Sequence, residues 1–352
     1  MISRPTLPVH QRGFSLVELM VAMTLSLVLL AGALSILYSS KVTYAENDRI
    51  ARLQEAGRTV VELILRDARA AGFQGCARTG TLPTNGLNNV LNSPTALLWD
   101  LGQPMRGYNG SAGAWSPALP AADIPSATPD SDVIVLRTVR EGTPSFQLRT
   151  APAAMTDPLT VVRGANVGLP VGSTLVINDC QGASVFAVSN LTAVDATTAT
   201  IDHAVGGIPG NASGSLGRIY QEGARISQVD SVIYYVRDST SGVGPALWRK
   251  IGNDPEQPLI EGVENLQILY GIDTNADMLA DAYVTANVVE AGGNWANVIS
   301  LTIAVLVRSE NETNLELDNR TYNMLTQVKG PFNDRRQRSM FITTVTLRNR
   351  TT

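Results

Sequence analysis

The chain is poor in the residues on which most hydrolytic and metal chemistry depends. Its 352 residues include two histidines, His10 and His203, and two cysteines, Cys76 and Cys180. A zinc site of cysteine and histidine therefore lacks ligands. No H-E-x-x-H, G-x-S-x-G or Walker A motif occurs, so the commonest signatures of metalloproteases, serine hydrolases and nucleotide hydrolases are missing. These absences predict a non-catalytic protein. Charge is also sparse, at 16% of residues with a formal net charge of −4. Removing Arg4 and Arg12, which precede the first apolar run, leaves 25 basic residues against 31 acidic ones, or −6. That balance provides no broad basic surface for nucleic acid, only local patches. No internal repeat is evident. With 44% hydrophobic residues, the chain has material for one large domain or two ordinary ones.

What is present begins at the amino terminus. From Phe14 to Leu37, 24 residues carry a single formal charge, Glu18. As a helix this run spans roughly 36 Å, enough for a hydrocarbon layer of about 30 Å. The leader "MISRPTLPVHQRG" holds Arg4 and Arg12 and no acid, so it stays cytoplasmic and the bulk of the chain crosses the membrane. A cleaved secretory signal has a shorter apolar region and ends at a small-residue cleavage site. Here helical character continues instead. A plain signal anchor fits the run but gives Glu18 no purpose, and a buried carboxylate needs a partner.

Gly13, Phe14 and Glu18, with "SLVEL" between a basic leader and about twenty apolar residues, resemble the class III signal of type IV prepilins and pseudopilins. The resemblance implies cleavage between Gly13 and Phe14 by prepilin peptidase, N-methylation of Phe14, and retention of the helix as an inner-membrane anchor and later a fibre core. The new Phe14 amine lies one helical turn from Glu18. By resemblance, Glu18 pairs with that amine on a neighbouring subunit and sets register during assembly.

After Tyr38 the composition turns mixed while the period persists. Ile50, Leu53, Gly57, Val60, Val61, Ile64, Ala68 and Ala71 form one apolar stripe, with Glu62 and Arg66 placed for an i, i+4 pair. An amphipathic continuation over 38–72 is expected, closing near Gly72.

Residues 73 to about 130, rich in Gly, Pro, Ala and Ser, read as surface loops. Strand patterns follow at 132–140, 173–179, 183–189 and 231–237, then in "VENLQILYGI", "NVISLTIAVLVRS" and "MFITTVTLRN". The fold class is α+β: a long helix packed on an antiparallel, β-rich domain over 73–352.

"RAAGFQGC" (69–76), "NDCQGASVF" (178–186), "EGVENLQILYGIDTNAD" (261–277) and "RRQRSMFITTVTLRNR" (335–350) resemble PilW-type minor pilins. That family implies a type IV pilus protein working with other minor pilins and the major pilin to prime assembly near the tip, in support of twitching motility, adhesion or DNA uptake. A minor pseudopilin of type II secretion shares the signal and architecture. A displayed adhesin or DNA-binding module is the third reading, for which Arg335, Arg336 and Arg338 are the cationic candidates. In a periplasmic domain the only intramolecular cysteine pairing is Cys76–Cys180. No cofactor is implied. Asp273, Asn275, Asp277 and Asp281 match positions one, three, five and nine of a calcium loop, but Met278 and Val284 replace its turn glycine and bidentate glutamate. A weak calcium site is one reading of this loop, and an Asx-rich turn is the other.

Overall fold

The structure is a computed structural model. It describes residues 13, 15–72, 87–143, 145–162, 168–207, 209–242, 244–312, 314 and 316–347. Helix α1 spans Leu16–Ala70, with no proline between Pro8 and Pro83 to break it. By compactness the chain divides into a unit ending at Arg52 and a globular unit from Leu53. In the first, the apolar side chains of α1 from Leu16 to Tyr44 are exposed, and Glu46–Arg49 and Asp48–Arg52 pair at 2.9 Å along the surface.

The globular unit holds nineteen strands among the described residues. In chain order they are β1 Leu87–Asn89, β2 Met105–Ser111, β3 Ala114–Ser116, β4 Val133–Val139, β5 Phe146–Leu148, β6 Leu159–Val162, β7 Thr174–Asn178, β8 Ala183–Ala187, β9 Asn190–Ala193 and β10 Thr198–Asp202. There follow β11 Arg225–Asp238, β12 Pro245–Ile251, β13 Gln257–Glu261, β14 Val263–Ile272, β15 Ala282–Val284, helix α2 Ala286–Gly292, β16 Val298–Arg308, β17 Tyr322–Met324, β18 Gln327–Lys329 and β19 Arg338–Thr346.

Strand β11 joins two lobes. Its first residues pair with β7, Ile226 opposite Ile177, while its remainder pairs with β4 and β12, Val232 opposite Leu136 and Tyr235 opposite Trp248. Between β4 and β11 the chain builds an inserted lobe around Phe146, Leu159, Leu175, Phe186, Ile201 and Tyr220. The other lobe includes a four-stranded sheet in the order β15-β14-β16-β19. On this sheet sits the end of α1.

The stripe foreseen on α1 is the buried one. Leu53, Gly57, Val60, Ile64 and Ala68 face Leu266, Ile268, Tyr270, Leu301, Ile303, Val305 and Val345 in one core. Val263 joins the same face three residues before Leu266, rather than two, because a bulge at Val263–Asn265 shifts the register. At Gly57 an added Cβ would fall inside the Phe341 ring, so glycine permits the helix to lie close to β19. The helix closes as foreseen. Gly72 adopts φ 74, and its N–H donates to Arg137 O at 2.9 Å.

Two expectations are corrected. Arg66 does not turn to Glu62; it pairs with Glu141 at 3.1 Å and Asp67 at 3.4 Å, acceptors supplied by the folded domain and the adjacent helix residue. Nor is the Gly/Pro-rich stretch wholly surface. Within its described residues Leu97, Leu98, Tyr108 and Ile124 are buried with Val135, Ile233 and Trp248. Strands β4, β11 and β12 are apolar on both faces, so a second layer must cover the face away from α1.

Candidate functional site

The amino-terminal signal lies on the one helix among the described residues that is long and apolar enough to cross a membrane. Gly13 is exposed, with open space where a Cβ would be. Phe14 lies outside the described residues, as does residue 12. Ser15 precedes the helix, and its Oγ accepts the Glu18 N–H at 3.2 Å. Its carbonyl accepts the Leu19 N–H at 3.1 Å. Ser15 thus caps the helix, and Glu18 stands three residues on, the spacing of a capping box. A carboxylate there also meets the positive end of the helix dipole. The S-x-x-E pattern was visible in "SLVE", but only the prepilin motif was read from it.

Glu18 thus stands in the first turn of the helix, and it is exposed. What the arrangement offers chemically is an acidic group at the start of a helix that presents Leu, Val, Met and Ile outward from Leu19 to Val42. The exposed set includes Leu19, Met23, Leu27, Leu30, Leu34 and Leu37. Surface of this extent on a soluble protein requires either lipid or neighbouring apolar helices.

The remaining candidates fall elsewhere. Cys76 lies outside the described residues. Cys180 sits at φ 65 in the turn between β7 and β8, and no free cysteine occurs among the described residues. The acidic loop is a turn between β14 and β15, as the Asx reading has it. Asp273 Oδ1 accepts the N–H groups of Asn275 and Ala276 at 3.1 and 2.7 Å, and its Oδ2 accepts that of Met278 at 2.8 Å. Asp281 Oδ2 takes the Thr274 hydroxyl at 2.6 Å and its N–H at 2.7 Å, which hold that carboxyl below its usual range. Met278 adopts φ 67, the left-handed geometry that glycine serves in a calcium loop. Among the described residues no group of three or more His, Cys, Asp or Glu side chains is placed to hold a metal.

Two of the three arginines of the cluster turn inward. Arg338 is buried, with Glu264 at 2.6 Å, Asp334 at 2.7 Å and Asp318 at 3.2 Å, and its guanidinium stacks 3.7 Å from the Phe332 ring centre. Arg336 reaches Glu312 at 3.4 Å and the carbonyls of Ser309 and Glu310. Arg335 donates to Asn314 O at 3.3 Å. Arg336 and Arg338 thus bind the excursion between β16 and β19, whereas Arg335 stands exposed.

Comparison with known families adds two matches. A family model described as Type IV Pilus-assembly protein W matches residues 233–349, from within β11 through β19 and beyond. A second, described as Prokaryotic N-terminal methylation motif, matches residues 9–34. The inserted lobe lies outside both. No curated protein matches the chain.

Proposed function

From the premise that the chain is a type IV prepilin-like protein of the PilW type, we propose that it is a non-catalytic minor pilin that helps to prime pilus assembly near the tip. The observation that carries this reading is the joining of two features in one helix. A methylation motif stands at its start, and its first half is apolar on every face whereas its second half is one-sided.

In this reading prepilin peptidase cuts after Gly13 and the new Phe14 amine is methylated. The helix over 14–37 holds the chain in the inner membrane, with the domain in the periplasm. On assembly the same apolar surface exchanges lipid for the helices of other minor pilins and the major pilin. A carboxylate entering that core must be compensated, and Glu18 takes its counter-charge from the Phe14 amine of a neighbour. In the periplasm Cys76 and Cys180 form a disulfide that staples the segment after α1 to the β7–β8 turn. Motility, adhesion or DNA uptake then follow from the fibre.

The test is mass spectrometry of sheared, pelleted surface fibres, searching for the peptide that begins at N-methylated Phe14. Its presence there supports processing and incorporation together. Recovery of the processed peptide from the inner membrane alone would point to a pseudopilin or an initiator that stays behind. An intact leader would overturn the prepilin reading.

A further inference from the structure

Arg137 is a buried charge that the chain leaves without a counter-charge. It stands on β4, 4% exposed, between Val135 and Val139 on the face turned away from α1. Its Nη2 donates to Leu97 O at 3.0 Å. Its Nε and Nη1 are buried and have no partner, and it makes no ion pair among the described residues. Arg338, as deeply buried, has three carboxylates. The acid whose charge Arg137 feels most is Asp100, itself raised above the ordinary carboxylate range by burial. Burial pushes the Arg137 guanidinium down to about 10, which leaves it charged at neutral pH. Where β4, β7, β8 and β11 meet, Arg137 lines a cavity of about 20 Å³ together with the apolar side chains of Leu87, Leu101, Val176, Val185 and Val229.

We propose that this cavity is a binding site for a monatomic anion, chloride, which accepts from Nε and Nη1 of Arg137. Its volume admits a body about the size of one water molecule, which excludes phosphate, sulfate and carboxylate ligands. The lining then favours a halide over water. A water must also place its own hydrogens on acceptors, and the aliphatic side chains supply none, whereas a halide needs donors only. The guanidinium offers two donors, and it lacks the opposite charge without which a buried cation is costly. Val176 and Val185 come from β7 and β8 of the inserted lobe, Arg137 and Val229 from β4 and β11, so the bound ion is a structural tie where the two lobes join. This inference does not rest on the pilus reading.

The experiment is thermal unfolding of the full-length chain in detergent, at constant ionic strength, with chloride exchanged for gluconate, which is too large for the cavity. From about 1 to about 100 mM chloride the unfolding temperature should rise by about 2–5 °C. Bromide should replace chloride, and sulfate should not. Arg137→Gln should abolish the rise, and so should Val185→Ile, which keeps the guanidinium and fills the cavity. Circular dichroism below the transition checks the fold of each variant. Crystals grown in bromide should carry its anomalous signal beside Arg137, and this position alone decides if neither variant folds. Unfolding indifferent to chloride would assign the cavity to a water and overturn the proposal. A rise of equal size in sulfate, a rise that survives both variants, or a bromide signal absent from the cavity would overturn it too.

Discussion

The Tyr234 hydroxyl donates a 2.6 Å hydrogen bond to Asp67 Oδ2, joining the one acid on the buried face of α1 to the strand that runs through both lobes. Burial, then the neighbouring carboxylate, raises the phenol pKa above its ordinary value, so Tyr234 stays a donor throughout the physiological range. Tyr234→Phe leaves that Asp67 oxygen buried without the donor. A loss of about 1–3 kcal/mol is expected in denaturant unfolding of the chain in detergent. Combined with Asp67→Asn, the loss should fall short of the sum of the single variants. Additivity would mean that the contact does not couple helix to sheet.

The contact of Gly57 with Phe341 gives a second expectation. A methyl at 57 cannot be accommodated without displacing the ring, so Gly57→Ala should destabilise by about 1–3 kcal/mol despite the better helix propensity of alanine. Phe341→Leu in the same chain should recover part of the loss, as read by thermal unfolding. A stabilised Gly57→Ala would show that helix and strand are farther apart.

Arg338 holds three carboxylates together, and removing one partner of a buried network leaves the others uncompensated. Arg338→Met should cost about 3–5 kcal/mol at neutral pH. Arg338→Lys should not restore the wild-type value, because an ammonium lacks the planar fork that reaches both Glu264 and Asp334. The hydrogen bonds from Arg338 lead the causes that hold the Asp334 carboxyl down to about 2. A depressed carboxyl stabilises the fold above its unfolded pKa near 4, and that contribution is lost as pH falls toward 2. Arg338→Met should therefore be less acid-sensitive over that interval.

Asp132 works in the opposite direction. It is buried, and desolvation pushes its carboxyl up to about 7 although it accepts the N–H groups of Gly110 at 2.8 Å and Ile268 at 2.7 Å. The folded state then binds a proton that the unfolded state has released between about pH 4 and pH 7, so stability from this group is full below that window and declines as pH rises through it. Asp132→Asn should flatten the unfolding free energy between pH 5 and 8 relative to the parent. An unchanged slope would assign the titration to another group.

For the loop from Asp273 to Asp281 we propose at most a weak calcium affinity, since its carboxylates already accept the loop's own N–H groups. Millimolar calcium should raise the unfolding temperature slightly, and Asp273→Ala should abolish the rise. No shift in the parent chain would leave the loop as a purely Asx-built turn.

The elements most legible in advance were those with a local period. The α1 stripe, the alternation of β14, β16 and β19, and the stop at Gly72 all come from spacing within a few residues of one another. The insertion between β4 and β11 was not legible as a lobe. Its strands announce themselves individually, but nothing in their spacing says that β11 will pair with β7 along its first residues and with β4 along the rest. The buried stretch around Leu97 and Ile124 was hidden for a related reason. Its apolar residues are scattered among glycine and proline, so no period marks them.

At the candidate site the division is sharper. The apolar helix from Leu16 was legible because its signal is written in consecutive residues, and helix formation there depends on local propensity and uniform hydrophobicity. What tertiary structure decided was the fate of polar groups. Asp67 finds Tyr234, Arg66 finds Glu141, and Arg338 finds Glu264, partners up to 167 residues apart. Desolvation makes the burial of Asp67 and Arg338 costly until the partner arrives, whereas Arg66 and Glu141 meet at the surface. Chain packing alone brings that partner near.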